Sequence, residues 1–341
     1  MSNGWLNRKE LVVHILGKSA AIAVLLALTG ASARADEKVK YVLDWFPAGY
    51  IGFAYVGIKQ GYFKEEGLDV TVEIGRGGSD AVARVAAGTD DFGAASLSSL
   101  MNAAANSPGL PAKAVLAIYS KSPHAIVTRV GSGIDSIKDL DQKSLATATF
   151  SGSNQVWPLM AKRNQLNPDN VKFLKVDNNA LGPMLAAGKV DAVISWVTSV
   201  PLYSKLAEES GAKLKTIPWS NYGLSGYNWS LLASDKIIKE RPEVAKKFVR
   251  AFKKSVEFAL AHSDQAGKDV HELAPDTDAA TNTVELEAMR PLVDNEISKR
   301  TGFGNFDPAL VTETWKWVAA SQDYPESKLN PASVVDSSLL K

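Results

Sequence analysis

Cysteine is absent from the 341-residue chain, which excludes a disulfide framework and a thiol for lipid attachment. Histidine is almost as scarce. After residue 35 only His124, His262 and His271 remain, with no third group at metal-ligand spacing and no serine–histidine–acid set. His262 and His271 fall on positions that read as exposed helix faces. An excess of one charge is missing too, with 38 Lys and Arg against 37 Asp and Glu, so bulk charge recruits neither nucleic acid nor an anionic membrane. No apolar run reaches the roughly 20 residues of a membrane-spanning helix, and no low-complexity tract or long charge block interrupts the chain.

The one concentrated apolar stretch, Ala20 to Leu28, is about half the spanning length. It follows Arg8, Lys9 and Lys18 and precedes Ala33-Arg34-Ala35, the small residues a signal peptidase requires, so residues 1–35 read as a cleaved export signal. Cleavage after Ala35 starts the mature protein at Asp36 and leaves 34 basic against 36 acidic residues. The expected location is the periplasm. The remaining 306 residues are enough for about two domains, and 45% apolar with 8% aromatic residues supplies real cores.

Within that span, Val39 to Leu43 reads as a strand, Ile51 to Gln60 as a helix stopped by Gly61, and the alternating Leu68, Val70, Val72 and Ile74 as a second strand. A helix from about Ala81 to Ala87, closed by Gly88, leads to a third strand at Phe92 to Ala95. This β-α-β-α-β order predicts an α/β fold with a parallel sheet between helices. The device returns one hundred positions later, where Ala186-Ala187-Gly188-Lys189-Val190-Asp191 repeats Ala86-Ala87-Gly88-Thr89-Asp90-Asp91. Strands at Leu145 to Ala148, Val171 to Val176 and Val190 to Ser195 complete a second unit. A strand at Tyr227 to Ala233 and an amphipathic helix from Pro242 to Ala261 follow, and the tail is expected to pack back on the first unit. The predicted organisation places residues 36–122 and 224–341 in one lobe and 123–223 in the other, with a hinge where the chain crosses near Ser120 to Thr128 and near Trp219 to Tyr227.

Chemistry gathers at the C-terminal ends of the predicted strands, where open α/β sheets place their ligand crevices. Gly77-Gly78-Ser79 and Ser151-Gly152-Ser153 each lie between a strand and a helix, so their backbone N–H groups and hydroxyls suit an anion or a ring carbonyl. Helix capping explains either loop alone; one in each lobe points to a ligand. Asp44-Trp45-Phe46 and Trp196 also stand at strand ends, where aromatics sandwich a planar ring. Trp157 fits either the cleft or the core, and Trp315 and Trp317 read as helix packing.

Leu43-Asp44-Trp45-Phe46-Pro47, followed by Gly61-Tyr62-Phe63-Lys64-Glu65-Glu66-Gly67-Leu68-Asp69-Val70, resembles the start of binding proteins for the thiamine pyrimidine precursor. Ile137-Lys138-Asp139-Leu140 and Ala187-Gly188-Lys189-Val190-Asp191-Ala192 are similar to second-lobe signatures of the same superfamily, which also holds receptors for taurine and alkanesulfonates, nitrate and aromatic acids. The resemblance implies a two-lobed periplasmic binding protein of type II, with a doubly wound sheet in each lobe and a ligand cleft between them. It implies no catalysis and no cofactor. The expected partners are a small solute and an ABC permease of the inner membrane with its cytoplasmic ATPase, the receptor itself being a monomer. By the family's pattern Asp44, Trp45, Phe46, Gly77 to Ser79, Ser96, Ser151 to Asn154 and Trp196 face the ligand, with Tyr222 near the second crossing a further candidate. The Tyr62 to Glu66 segment reads as a solvated helix end with a structural role.

One departure bears on the ligand. Pyrimidine receptors continue after the proline with a polar Asn and His, whereas Ala48-Gly49-Tyr50-Ile51-Gly52 stands here, and Tyr50 also suits an aromatic carboxylate or a flavin. Arg76 beside the glycine loop could add a fork for an anion. The eukaryotic thiamine-pyrimidine synthases share the resemblance and consume their own histidine with pyridoxal phosphate, but they carry a Cys-rich motif and a histidine that this chain lacks. A sensor-partner module that binds the same solute and reports to a receptor is the third reading. The pyrimidine precursor leads as the expected solute.

Overall fold

The computed structural model describes residues 36–340 together with Met1, so the expected export signal lies outside the described residues. Among them, the strands follow in chain order as β1 (Glu37–Leu43), β2 (Leu68–Ile74), β3 (Phe92–Ser96), β4 (Ala112–Ala117), β5 (His124–Arg129), β6 (Ser144–Ala148), β7 (Lys172–Val176), β8 (Ala192–Trp196), β9 (Leu214–Pro218) and β10 (Trp229–Ser234). They form two five-stranded sheets, ordered β2-β1-β3-β10-β4 and β7-β6-β8-β5-β9. The two orders have one form, with β1 matching β6, β2 matching β7 and β3 matching β8. The repeated Ala-Ala-Gly segments occupy matching places, because Gly88 and Gly188 take the left-handed conformation (φ 69° and 67°) that ends a helix. Asp91 and Asp191 then each accept a hydrogen bond from the backbone N–H of the adjoining strand, from Lys40 at 2.9 Å and Ser144 at 2.8 Å. The repeat therefore pins the third strand of each unit to its first.

The sheets are mixed, not parallel as the element order predicts. β1, β2 and β3 run together, as do β6, β7 and β8. β10 opposes β3 and β4, and β5 opposes β8 and β9. The crossings supply the reason. β10 arrives from the other sheet at Trp229, opposite Ser96, the last residue of β3, while β5 arrives at His124, opposite Trp196, the last residue of β8. A strand that begins where its neighbours stop must run against them. The links between sheets span residues 118–123 and 219–228, so Thr128, expected in the first crossing, lies inside β5.

Helices cover both faces of the first sheet, as the period of β1 shows. Tyr41 and Leu43 join a cluster with Phe248 and Phe252, whereas Val42 turns to Val82 and Val85 on the other side. The Pro242–Ala261 helix has the bounds its pattern predicts, opens with Pro in its first turn, and buries Phe248, Val249, Phe252 and Val256 along one stripe. Phe248 stacks on Phe92 with ring centroids 4.0 Å apart and planes 12° from parallel. The Tyr62–Glu65 helix sends Phe63 into this core and holds its acidic end through Glu65 to Lys254 and Glu66 to Arg250.

Trp157 belongs to the core, stacked on Phe173 and near Trp219, and Trp315 and Trp317 are buried. The tail is shared more widely than expected. The Pro308–Ser321 helix packs on the Leu97–Asn106 helix of the first unit and on the Trp157–Arg163 helix of the second. His262 is exposed, but His271 is half-buried with Nδ1 2.7 Å from the Thr277 carbonyl. No helix among the described residues is long and apolar enough to cross a membrane.

Because Phe248 touches Phe92 and Tyr41 of the sheet and Phe63 of the Tyr62–Glu65 helix, its truncation removes the ring that joins them. Phe248→Ala is expected to cost about 3–5 kcal/mol in urea unfolding with an unchanged slope.

Candidate functional site

The parallel strands of both sheets aim their C-terminal ends at one another, and a cleft of about 430 Å³ lies between them. The segment after β1 delivers Asp44, Trp45 and then Tyr50, the Gly78–Ala86 helix its first residue Gly78, and β3 its last residue Ser96. Opposite stand Ser151 and Gly152 after β6, and Ser195 and Trp196 at the end of β8. Eight residues singled out from the sequence thus meet in one cleft. Ile194, Ser195 and Ser199 line it as well and were not among them. Alternation along β8 could have pointed to Ser195 beside Trp196, but nothing local marks Ser199.

Six expected residues do not line the cleft, each for a visible reason. Phe46 packs beside Trp45 with ring centroids 5.6 Å apart, which supports that indole from behind. Gly77 lies against the backbone of Phe150, where an added Cβ would come within 2.6 Å of the carbonyl oxygen, and the Ser79 N–H donates to that same carbonyl at 3.1 Å. These two are lobe-to-lobe contacts. Ser153 turns inward to His124 Nδ1 at 2.8 Å, and Asn154 ties its own loop by donating to the Ala148 and Thr149 carbonyls. Tyr222 packs half-buried in the Trp219–Tyr222 turn that follows β9, outside the cleft lining. Arg76 pairs with Asp80 and lies 4.7 Å over the Phe150 ring.

The lobes are closed on each other. Ser199 donates to the Tyr50 hydroxyl at 3.1 Å, and the Ser98 hydroxyl reaches the Gly152 carbonyl at 3.4 Å. Gly152 approaches Ser96 so closely that a Cβ there would sit 1.9 Å from the serine oxygen. Capping and lining coexist in these loops, since Ser96 accepts from the Ser99 N–H and Ser151 from the Ser153 N–H. Tyr50 is held in turn by Tyr119, which donates to its carbonyl at 2.6 Å, and by Glu285, which accepts from the Gly49 N–H at 2.8 Å.

The electrostatics are unusual for a crevice built from helix starts. Among the described residues no Lys, Arg or His lines the cleft, yet Asp44 does. Asp44 is 5% exposed, its Oδ1 accepts from the Trp229 indole N–H at 3.0 Å, and no ion pair reaches it among the described residues. Burial pushes its carboxyl up to about 7, against the smaller downward pull of that indole. Glu285, 1% exposed behind Tyr50, is pushed up to about 8 by burial. His124 is driven down to about 3 by burial and stays neutral. Trp45 Nε1 is buried with no hydrogen-bond partner among the described residues, a donor on the same aromatic wall as the carboxyl.

The family model for NMT1/THI5-like proteins matches residues 49–266. The chain belongs to that family. Among similar proteins, the 4-amino-5-hydroxymethyl-2-methylpyrimidine phosphate synthase THI13 of Saccharomyces cerevisiae is 26% identical over 70% of this chain and 72% of its own. The formylaminopyrimidine-binding protein of Halalkalibacterium halodurans is 24% identical over 86% of this chain and 88% of its own. In structure, the alkanesulfonate-binding protein SsuA of Xanthomonas axonopodis bound to MOPS aligns with a TM-score of 0.69 at 16% identity, covering 89% of this chain and 99% of that one. This NMT1/THI5-like chain therefore has the two-lobed type II periplasmic binding protein fold.

Two outcomes are expected of the site. Gly152→Ala places a methyl group against Ser96 and opposes closure by about 1–3 kcal/mol, so solution scattering should show a more open protein while thermal stability stays near that of the parent. Glu285 must ionise inside the fold as pH rises, so the stability it contributes is present below about 4.5 and lost as pH rises through about 8. Melting temperatures of Glu285→Gln and the parent should accordingly converge near pH 4.5 and separate in favour of the variant towards pH 8.5.

Proposed function

We propose that this NMT1/THI5-like protein is the extracytoplasmic solute-binding component of an ABC import system, capturing a planar amino-substituted heterocycle, with the thiamine pyrimidine precursor as the leading candidate. The observation that carries the reading is the buried Asp44 carboxyl, without a cation, on an aromatic cleft wall. A ring bearing an amino donor can meet that carboxyl, and Trp45, Tyr50 and Trp196 supply faces for its plane. Sulfonates, nitrate and aromatic carboxylates fit less well. Their charge would face a carboxyl in a cleft without a cationic side chain, and the hydroxyls of Ser96, Ser151, Ser195 and Ser199 cannot offset that repulsion. This favours the pyrimidine branch although the polar Asn-His pair is missing after Pro47.

The similarity to a formylaminopyrimidine-binding protein over most of both chains supports a receptor, and the similarity to yeast synthases supports the pyrimidine class. Against a synthase stand the absence of cysteine and a cleft lined by no histidine. His124 is occupied on both ring nitrogens by Ser153 and Asn228. An export signal in residues 1–35 would deliver the protein to the periplasm, where closure over the solute presents both lobes to a permease.

Calorimetry of the Asp36–Lys341 protein against 4-amino-5-hydroxymethyl-2-methylpyrimidine, riboflavin, benzoate and taurine tests the solute class. The pyrimidine is expected to bind, and Asp44→Asn to weaken it by about ten- to a hundredfold, the usual worth of a hydrogen bond to a charged group. The solute lowers the carboxyl's pKa from about 7 by donating to its ionised form, so affinity should fall as pH drops below 7 and lose that dependence in Asp44→Asn. Tighter binding of taurine or benzoate than of the pyrimidine would overturn the assignment. Loss of solute uptake on deletion of the gene separates a transport receptor from a sensor partner.

A further inference from the structure

Arg76 belongs to the glycine loop but does not line the cleft, and its neighbours give it another use. The loop leads from β2 into the Gly78–Ala86 helix, whose first residue lines the cleft; on the facing side Phe150 stands between β6 and the lining residue Ser151. Arg76 is exposed and Phe150 half-buried, whereas Gly78 and Gly152 are buried, so the two side chains occupy the rim where the cleft meets solvent.

Three residues of the loop converge on Phe150. The Ser79 N–H donates to its carbonyl at 3.1 Å, Gly77 has no room for a side chain because a Cβ would fall 2.6 Å from the Phe150 Cβ, and the Arg76 guanidinium lies 4.7 Å from the centroid of the Phe150 ring. Of these contacts, only the one to Arg76 uses the ring. Asp80 fixes the arginine at both ends, its carboxylate accepting from the Arg76 backbone N–H at 3.1 Å and from Nη2 at 3.0 Å. A long exposed side chain held in this way has less rotamer freedom to lose when its guanidinium lies over an aromatic face. Arg76 follows a strand of the first sheet and Phe150 a strand of the second, so the contact is broken when the lobes part.

We propose that Arg76 and Phe150 are retention residues of the cleft: they touch no solute, and by clasping the rim they slow the escape of what the closed cleft holds. Retention of this kind presupposes the receptor reading of the cleft. A contact that forms only after the lobes meet is absent on encounter, so it acts on dissociation and leaves association alone. An exposed cation–π pair has the strength to change that rate about two- to fivefold.

Stopped-flow release of 4-amino-5-hydroxymethyl-2-methylpyrimidine, followed through the fluorescence of the cleft indoles Trp45 and Trp196, tests the clasp. Phe150→Ala keeps the Cβ and the carbonyl, and with them the contacts to Gly77 and Ser79, while removing the ring. Phe150→Ala and Arg76→Ala are each expected to speed release about two- to fivefold with an unchanged association rate, and the double variant to be no faster than either. Phe150→Tyr keeps the ring face and should release at the parent's rate. Parent-like release in the two alanine variants, fully multiplicative effects in the double variant, or equal acceleration by Phe150→Tyr and Phe150→Ala would overturn the proposal. If the pyrimidine does not bind the parent, the solute assignment fails and the spacing of the lobes decides the clasp. Because the chain has no cysteine, nitroxide labels on Asp69→Cys and Lys172→Cys, exposed sites on the outer strands β2 and β7, report that spacing without competing thiols. Phe150→Ala and Arg76→Ala are then expected to shift the distance distribution towards the open form, and distributions identical to the parent's would refute the clasp on their own.

Discussion

A carboxyl group taken out of water and given no cation must either be neutral or find a donor, and Asp44 is in that position at the bottom of the cleft. Among the described side chains, the Trp229 indole N–H donates to it. Trp229 is itself fully buried and begins β10, the strand that returns from the second lobe, so the residue that steadies the carboxyl also stands at the hinge. On the proposed receptor reading, recognition depends on closure: while the lobes are apart, water can solvate Asp44, and once Ser199 meets Tyr50 and Gly152 meets Ser96, a bound solute must supply what water gave up.

The internal repeat explains how such a cleft is built without a dedicated scaffold. Each unit places two parallel strands and a third pinned by an aspartate, and each therefore brings strand ends to one edge. Facing the two edges across a pair of crossings yields donors, hydroxyls and indoles from both sides. The crossings then impose antiparallel strands β5 and β10, whose first residues, His124 and Trp229, lie opposite the cleft residues Trp196 and Ser96. Hinge and cleft share neighbours by construction.

Much of this was legible in the sequence because the signals are local. Period-two apolar alternation located β2, the Pro242 start and apolar stripe located the long helix to the residue, and aromatic or small residues just after strands located most of the cleft. The strands β4, β5 and β9 were passed over, since β4 and β5 are buried along nearly their whole length and show no polar alternation, and β9 reads as a short run before a proline. Antiparallel direction was hidden for a different reason: it follows from where the chain re-enters a sheet, which is a property of the crossing and not of the strand. Ser199 escaped for the same cause, because its partner Tyr50 is 149 positions away. Ser153 and Asn154 stand in the loop that supplies Ser151 and Gly152 to the cleft, but their side chains bond to His124 and to the loop itself, and a loop's composition does not say which side chains turn inward.

The chain is similar in sequence both to proteins named as yeast pyrimidine phosphate synthases and to one named as a bacterial formylaminopyrimidine-binding protein, so that similarity cannot by itself separate chemistry from capture. What separates them must lie in the cleft walls. Catalysis there would need a nucleophile, base or electron sink in contact with the bound ring, and each of those is a group that changes protonation or bonding state during turnover. The walls here offer indoles, hydroxyls, a tyrosine locked by two hydrogen bonds and one carboxyl held by an indole. The one histidine close by is neutral, buried and spent on the hinge. On the proposed receptor reading, a wall whose one carboxyl is held by an indole leaves that group for a donor-bearing ring to satisfy, and capture then rests on this pairing of desolvation with closure.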